Sequence, residues 1–463
     1  MWGWQRLMSE NFCYLRKKNL VMKLSYYLLL SSLGFCSFAN AAEFSSPSGN
    51  IVVKTEIAEG GSPVYSVCLN GKPVIIKAPI GLVADFADLS SGLDEKGCRV
   101  TEDRRNYKQD KIKKSSIEVN AVNAKVEYSG EGGKALEMEW HVADDGVAYR
   151  YRVPRQMDCA SMIVKEEKSS FAFPDGTTTF LTSQSDPMIG WKRTKPSYEE
   201  YYVVDAPMNR KSEYGRGYTF PALFKTPDEN WVLLTETGVD GYYCASHLSD
   251  FKDGRYTVAF PMQEENNGNG CAEPGVPVPG YTPWRVMAIG DNLAPIVETT
   301  LPWDLVEPRY AASRPARPAK GAWSWILWQD NSINYEDQVK YIDFAAEMGY
   351  DNVLIDNWWD SNIGEKRMEE LIKYAHSKGV NPILWYSSSG HWNDIVQGPV
   401  NRMDRPIVRK KWMKWMKENG VDAIKVDFFG GDKQETMRLY EDILSDAADY
   451  GIDVVFHGCT LPR

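Results

Sequence analysis

The segment IKVDFFGGD holds the residues best placed for chemistry. Side chains alternate along a strand, so Lys425 and Asp427 share one face. A cation two residues away favours the ionised form of Asp427 and lowers its pKa. An ionised carboxylate at the end of a strand suits attack on an anomeric carbon. A structural Lys–Asp pair would read the same way in the sequence. Three other short apolar runs also end in polar or titratable groups. Asp356, Trp358 and Asp360 close LIDNWWD, His391 closes YSSSGH, and His457 closes VVFH. Asp356 beside Trp358 could hold sugar hydroxyls against an aromatic platform. His391 and His457 could each donate to a hydroxyl or sit as satisfied strand-end residues. Trp323, Trp325 and Trp328 follow a spacing that favours packing.

These groups need elements to carry them. Gly349, Gly379, Gly420 and Gly451 each separate a helix-like stretch from an apolar run. An αβ unit of about 30–40 residues, repeated with polar groups at strand ends, predicts the active-site face of a (β/α)8 (TIM) barrel. Helices are expected over 334–348, 364–378, 406–418 and 433–450. Asn334 caps the first, Gly349 ends it, and Pro406 opens the third. Glu435 and Glu441 fall in the last helix and are expected to be solvated. The αβ region from about residue 317 holds about 147 residues, whereas a whole barrel needs roughly 250. Five strands are therefore expected here, with a truncation at Arg463.

Residues 43–302 read as a large β-sandwich. NIVVKTEIA, PVYSVCLNGKPVII, SIEVNAVNAKVEYSG, ALEMEWHVADDGVAYRYRVP and NWVLLTETG cluster or alternate β-formers between turn signals. Asn70-Gly71 predicts a tight hairpin turn. The stretch 262–282 reads as a loop, and the Pro- and Arg-rich stretch 303–320 reads as a linker before a partial barrel over 321–463. The fold class is thus β plus α/β in at least two domains.

Composition narrows the function further. The chain carries 16 Trp, 25 Tyr and 16 Phe, which suits sugar binding or aromatic sandwich cores equally. A formal net charge of −10 argues against nucleic acid. Met22 to Ala41 has a basic start, an apolar stretch and an Ala39-Asn40-Ala41 ending, the form of a secretory signal peptide. Residues 1–42 are therefore expected to comprise an upstream extension and a leader, with a periplasmic or secreted product. Export permits disulfides among Cys68, Cys98, Cys159, Cys244, Cys271 and Cys459, with the pairing left open.

GAWSW, LIDNWW, KVDFFGGDKQ and FHG, together with DGVAYRYR, YEEYY, PALF, LLTETGVDGYYCASHL and PWRVMAIGD, resemble glycoside hydrolase family 97 over about residues 45–463. The resemblance implies an exported β-sandwich and barrel enzyme, either an inverting α-glucosidase or a retaining α-galactosidase. It implies that inverting members place base glutamates at the positions held here by Asn393 and Gly458. Retaining members place an aspartate on the fourth strand, where this chain has Asp427. The retaining branch is therefore expected, with Asp427 as nucleophile and an acid/base glutamate beyond Arg463. The resemblance also implies calcium, with Glu199 in Tyr198-Glu199-Glu200-Tyr201 as a ligand. Asp356, Trp358, His391, Lys425 and His457 are the expected substrate contacts. The expected substrate is an oligosaccharide or other α-galactoside. A carbohydrate-binding protein without turnover is the alternative from another class.

Overall fold

A computed structural model describes residues 41–109, 112–185, 201–309, 318–393 and 395–458. Residues 1–40, which hold most of the segment expected to be a leader, and Glu199 lie outside them.

The N-terminal part is a β-sandwich. Four antiparallel strands, Ala41–Ser45, Ile51–Ala58, Ser62–Leu69 and Lys72–Pro79, form one layer. Asn70 and Gly71 join the last two with φ of +50° and +76°, as the hairpin turn requires. A ten-stranded sheet faces this layer. Its middle strands are Trp284–Gly290, Gly146–Val153, Ala135–Ala143 and Ser116–Gly130. Alternation sends one face of each strand inward. Trp140 lies 5.4 Å from Tyr65 across the layers and 4.9 Å from Tyr149 beside it. All three rings are buried, so the aromatic richness of this half builds its core.

The C-terminal part alternates strands and helices. Five strands, Gly321–Trp323, Asn352–Ile355, Asn381–Ser387, Ala423–Asp427 and Asp453–Phe456, pair in parallel and in chain order. The described residues form an open sheet with Gly321–Trp323 and Asp453–Phe456 at its edges. Helices Tyr335–Glu347, Glu365–Ser377, Pro406–Asn419 and Gln434–Tyr450 supply the crossovers. Asn334 caps the first by accepting the Asp337 N–H at 2.9 Å. Because every crossover returns to the same edge, all five strand ends converge on one rim.

Two local expectations are corrected. The first parallel strand stops at Trp323, and Trp325–Trp328 form a helical turn instead of continuing it. Trp328 is 46% exposed, so it does not pack in a sheet core. Glu435 and Glu441 are not simply solvated. Glu441 accepts the Gly241 N–H at 3.1 Å and pairs with Arg309, and Glu435 Oε2 is buried. Among the described cysteines no disulfide forms.

Candidate active site

All five strands contribute to a cluster around one lysine and two carboxylates. Asp427 closes the fourth strand and is 3% exposed. Its Oδ1 accepts the Phe428 N–H at 2.8 Å. Its Oδ2 accepts Trp385 Nε1–H from the third strand at 3.0 Å and lies 3.0 Å from His457 Nδ1, just past the fifth. Lys425 Nζ stands 3.5 Å from the same oxygen. Lys425 occupies the same face of the strand as Asp427 and reaches across to Asp356 Oδ2 at 3.0 Å. Asp356 follows the second strand and also accepts Trp323 Nε1–H at 2.9 Å. The Trp323 ring lies 4.5 Å below the Lys425 ammonium, a cation–π contact.

Electrostatics separates the two carboxylates. Burial would raise the pKa of Asp427, but the His457 hydrogen bond, the Lys425 charge and the Trp385 N–H outweigh it and hold the carboxyl below its ordinary value. Burial also dominates at Asp356. There Lys425 and the Asn357 N–H offset it only in part, and the carboxyl is pushed up. Lys425 is nearer to Asp356 than to Asp427, so the difference comes from His457, which favours the Asp427 anion and has no counterpart at Asp356, where the Asp427 charge also opposes ionisation. Such a split between neighbouring carboxyls assigns them different roles. Asp427 is the one held as an anion.

Asn393 and Gly458 flank this anion without adding charge. Asn393 Nδ2 donates to the Phe428 carbonyl at 3.1 Å and so ties the loop after the third strand to the residue after Asp427. Gly458 has φ +49°, and a Cβ there would lie 2.5 Å from Asp427 Oδ1. A side chain at 458 and the present Asp427 carboxylate cannot share that space.

The structure thus joins Asp356, Lys425, Asp427 and His457 in one cluster. It does not bring His391 or Trp358 into it. His391 is exposed, and its ring lies 5.5 Å from that of Trp392. Trp358 adopts a left-handed backbone (φ +65°) at the start of a helical turn and packs against the αβ core. Asp360 lies near Arg402, at 3.7 Å, away from the cluster. Trp323 was legible only as a packing residue and Trp385 was not singled out, yet both donate to the site carboxylates. A parity argument would have found Trp385, which stands in register with Lys425 on the adjacent strand.

Comparison with known proteins fits this arrangement. The family model described as "Glycosyl-hydrolase 97 N-terminal" matches residues 44–308, and "Glycoside hydrolase 97" matches 319–463. This chain belongs to glycoside hydrolase family 97. It is 28% identical over 421 residues to a probable retaining alpha-galactosidase of Streptomyces bingchenggensis, covering 88% of this chain and 60% of that protein. A retaining alpha-galactosidase of Bacteroides thetaiotaomicron is 24% identical over 95% of this chain and 68% of its own length. A crystal structure of a beta-arabinopyranosidase superposes with a TM-score of 0.89 at 55% identity, over 91% of this chain and 67% of that one. A family 97 enzyme of Pseudoalteromonas sp. strain K8 in complex with panose shares the fold at a TM-score of 0.74 and 20% identity.

Proposed function

We propose that the protein is a retaining glycosidase whose nucleophile is Asp427, with α-galactosides as the leading substrate class. The observation that carries this reading is a buried, donor-rich carboxylate at the strand-end rim, beside a glycine that leaves room for it. Asp427 attacks the anomeric carbon from one face. The bond to the leaving oxygen breaks and a glycosyl-enzyme ester forms. A second carboxylic acid protonates that oxygen, then takes a proton from the water that hydrolyses the ester. In this reading the acid/base lies outside the strand-end cluster, about 5–5.5 Å from Asp427. The open parallel sheet is read as an arc of a (β/α)8 barrel, and the Met22–Ala41 segment as an export signal. Inversion by a glutamate at position 458 is disfavoured, because its Cβ would already meet Asp427 Oδ1.

Calcium belongs to the proposal only through the family resemblance. Among the described residues no group of three or more His, Cys, Asp or Glu side chains is placed to hold a metal.

A second substrate reading is favoured by the beta-arabinopyranosidase at 55% identity. A β-L-arabinopyranoside has the ring configuration of an α-D-galactopyranoside without the exocyclic hydroxymethyl group. One cluster could therefore serve either glycoside, and the difference would lie in the space around that group. Initial rates on paired aryl α-D-galactoside and aryl β-L-arabinopyranoside substrates separate the two. NMR of the first sugar released from the galactoside should show the α-anomer. A β-anomer as first product would mean inversion and would remove Asp427 from the nucleophile role.

A further inference from the structure

The segment after Asp427 is held from outside its own sheet. Gly430 accepts the Asn266 N–H at 2.7 Å. The Asp432 N–H donates to Glu265 Oε2 at 2.7 Å, while Glu265 Oε1 accepts the Met262 N–H at 2.8 Å. Lys433 Nζ reaches the carbonyls of Gln263, Asn269 and Gly270 at 2.7, 3.3 and 3.2 Å. Glu265, Asp432 and Lys433 are all fully buried. The two glycines are required by close approach. A Cβ on Gly430 would lie 2.4 Å from Asn266 Oδ1, and one on Gly431 would lie 2.3 Å from Glu265 Oε2.

Enclosing two carboxylates and an ammonium is a poor route to stability, since desolvation offsets most of the attraction. It does fix one register, because a shifted loop would leave buried donors and acceptors without their partners. Burial, with the Asp432 charge added, raises the Glu265 pKa to about 8, and the backbone donors and Lys433 only partly oppose it. Between this grip and Asp427 lie only Phe428 and Phe429. Phe428 sits at φ +65°, and the Phe429 N–H is bound to the Gly458 carbonyl at 3.0 Å. Little slack remains in between.

We infer that loop 262–270 of the sandwich is a clamp that sets the position of Asp427 by holding Gly430–Lys433, with Glu265 as its positioning residue. The inference rests on Asp427 being the attacking group. The clamp makes the β-sandwich part of the catalytic apparatus without lending a group to the chemistry.

Hydrogen exchange and steady-state kinetics on the full-length protein test it. Glu265→Ala should speed exchange in peptides spanning 428–433 but not in those around Trp140. It should lower kcat roughly 10- to 100-fold, the effect of a small misplacement of a reacting group, and leave KM near the wild-type value. Glu265→Gln, which keeps the shape and one acceptor, should retain more activity. Gly431→Ala should give the same kinetic signature, and combining it with Glu265→Ala should cost no more than Gly431→Ala alone, because the two act on one contact. Unchanged exchange over 428–433 would overturn the clamp. Faster exchange with unaltered kcat would overturn its positioning role and leave a structural staple. If turnover survives Asp427→Asn, the nucleophile assignment fails, while the exchange result still judges the grip.

Discussion

Two buried charge clusters in this molecule have nearly the same composition and different surroundings. In the sandwich, Arg285 lies between Glu167 and Glu236. Arg285 Nε and Nη2 donate to Glu167 at 2.7 and 2.6 Å, and Nη1 pairs with Glu236 and reaches Ser246 Oγ at 2.9 Å. Tyr243 also donates to Glu167 Oε2, and Ser246 donates its N–H to Glu236 Oε1 and its hydroxyl to Glu236 Oε2. At the strand ends, Lys425 lies between Asp356 and Asp427. Both clusters set one cation against two carboxylates. The first is sealed, with side chains fully buried and the five-donor guanidinium engaged on both sides. The second opens through His457, whose side chain is 47% exposed. Its lysine has a point charge that two carboxylates must share at 3.0 and 3.5 Å. A buried ion cluster is therefore no signature of function by itself. Access to solvent and unequal donor sets mark the one that can react.

Substitution at the two centres should separate them most sharply. Asp427→Asn keeps the shape and removes the nucleophile, so turnover should fall on the order of 10⁴-fold or more, with a smaller loss of stability than at Arg285. Arg285→Met should do the reverse. Removing one partner leaves buried carboxylates uncompensated and should cost about 3–5 kcal/mol in stability, read by denaturant unfolding. Activity per folded molecule should stay near wild type. A large loss of kcat in folded Arg285→Met would break the distinction between the clusters.

Gly458→Ala sharpens the comparison at closer range. Its left-handed backbone costs an alanine about 1–2 kcal/mol, and the new Cβ would press on Asp427 Oδ1 at 2.5 Å. The carboxylate must move, so kcat should drop roughly 10²-fold. An alanine tolerated there with full activity would mean that Asp427 is not held where the chemistry needs it.

Much of the fold was legible because burial wrote a period into the sequence. Ser116–Gly130 and the hairpin Ala135–Val153 alternate, and they are strands. Leu93–Lys108 went unread. It is the long edge strand of the ten-stranded sheet, largely exposed and rich in charge, and backbone pairing with Ser116–Gly130 holds it. At the site, parity placed Lys425 with Asp427, but the partners of both lay on other strands. Trp323 and Trp385 look like core residues because their rings are packed, and only the direction of an indole N–H gives them a second role. Loop 262–270 showed turn residues and no sign that its acid and amides grip a segment more than 160 residues away. Register across elements, which a single sequence does not display, supplied those facts.

The finest test concerns the donors around Asp427. His457 is the chief opponent of burial there, ahead of Lys425 and Trp385. A carboxyl with a depressed folded pKa contributes stability above its unfolded pKa and loses it as pH falls through the folded value. As a nucleophile it is also active only when ionised. Removing a group that favours the anion must raise its pKa. In His457→Ala the acid limb of kcat/KM should therefore move to higher pH, and the stability that this carboxylate contributes at neutral pH should shrink. Trp385→Phe removes a weaker contribution and should move the limb in the same direction by less. Tyr243→Phe, at the sealed cluster, should leave the pH profile where it is. An acid limb that stays fixed in both site variants would mean that another group sets it, and the pKa ordering of Asp427 and Asp356 would then lose its link to turnover.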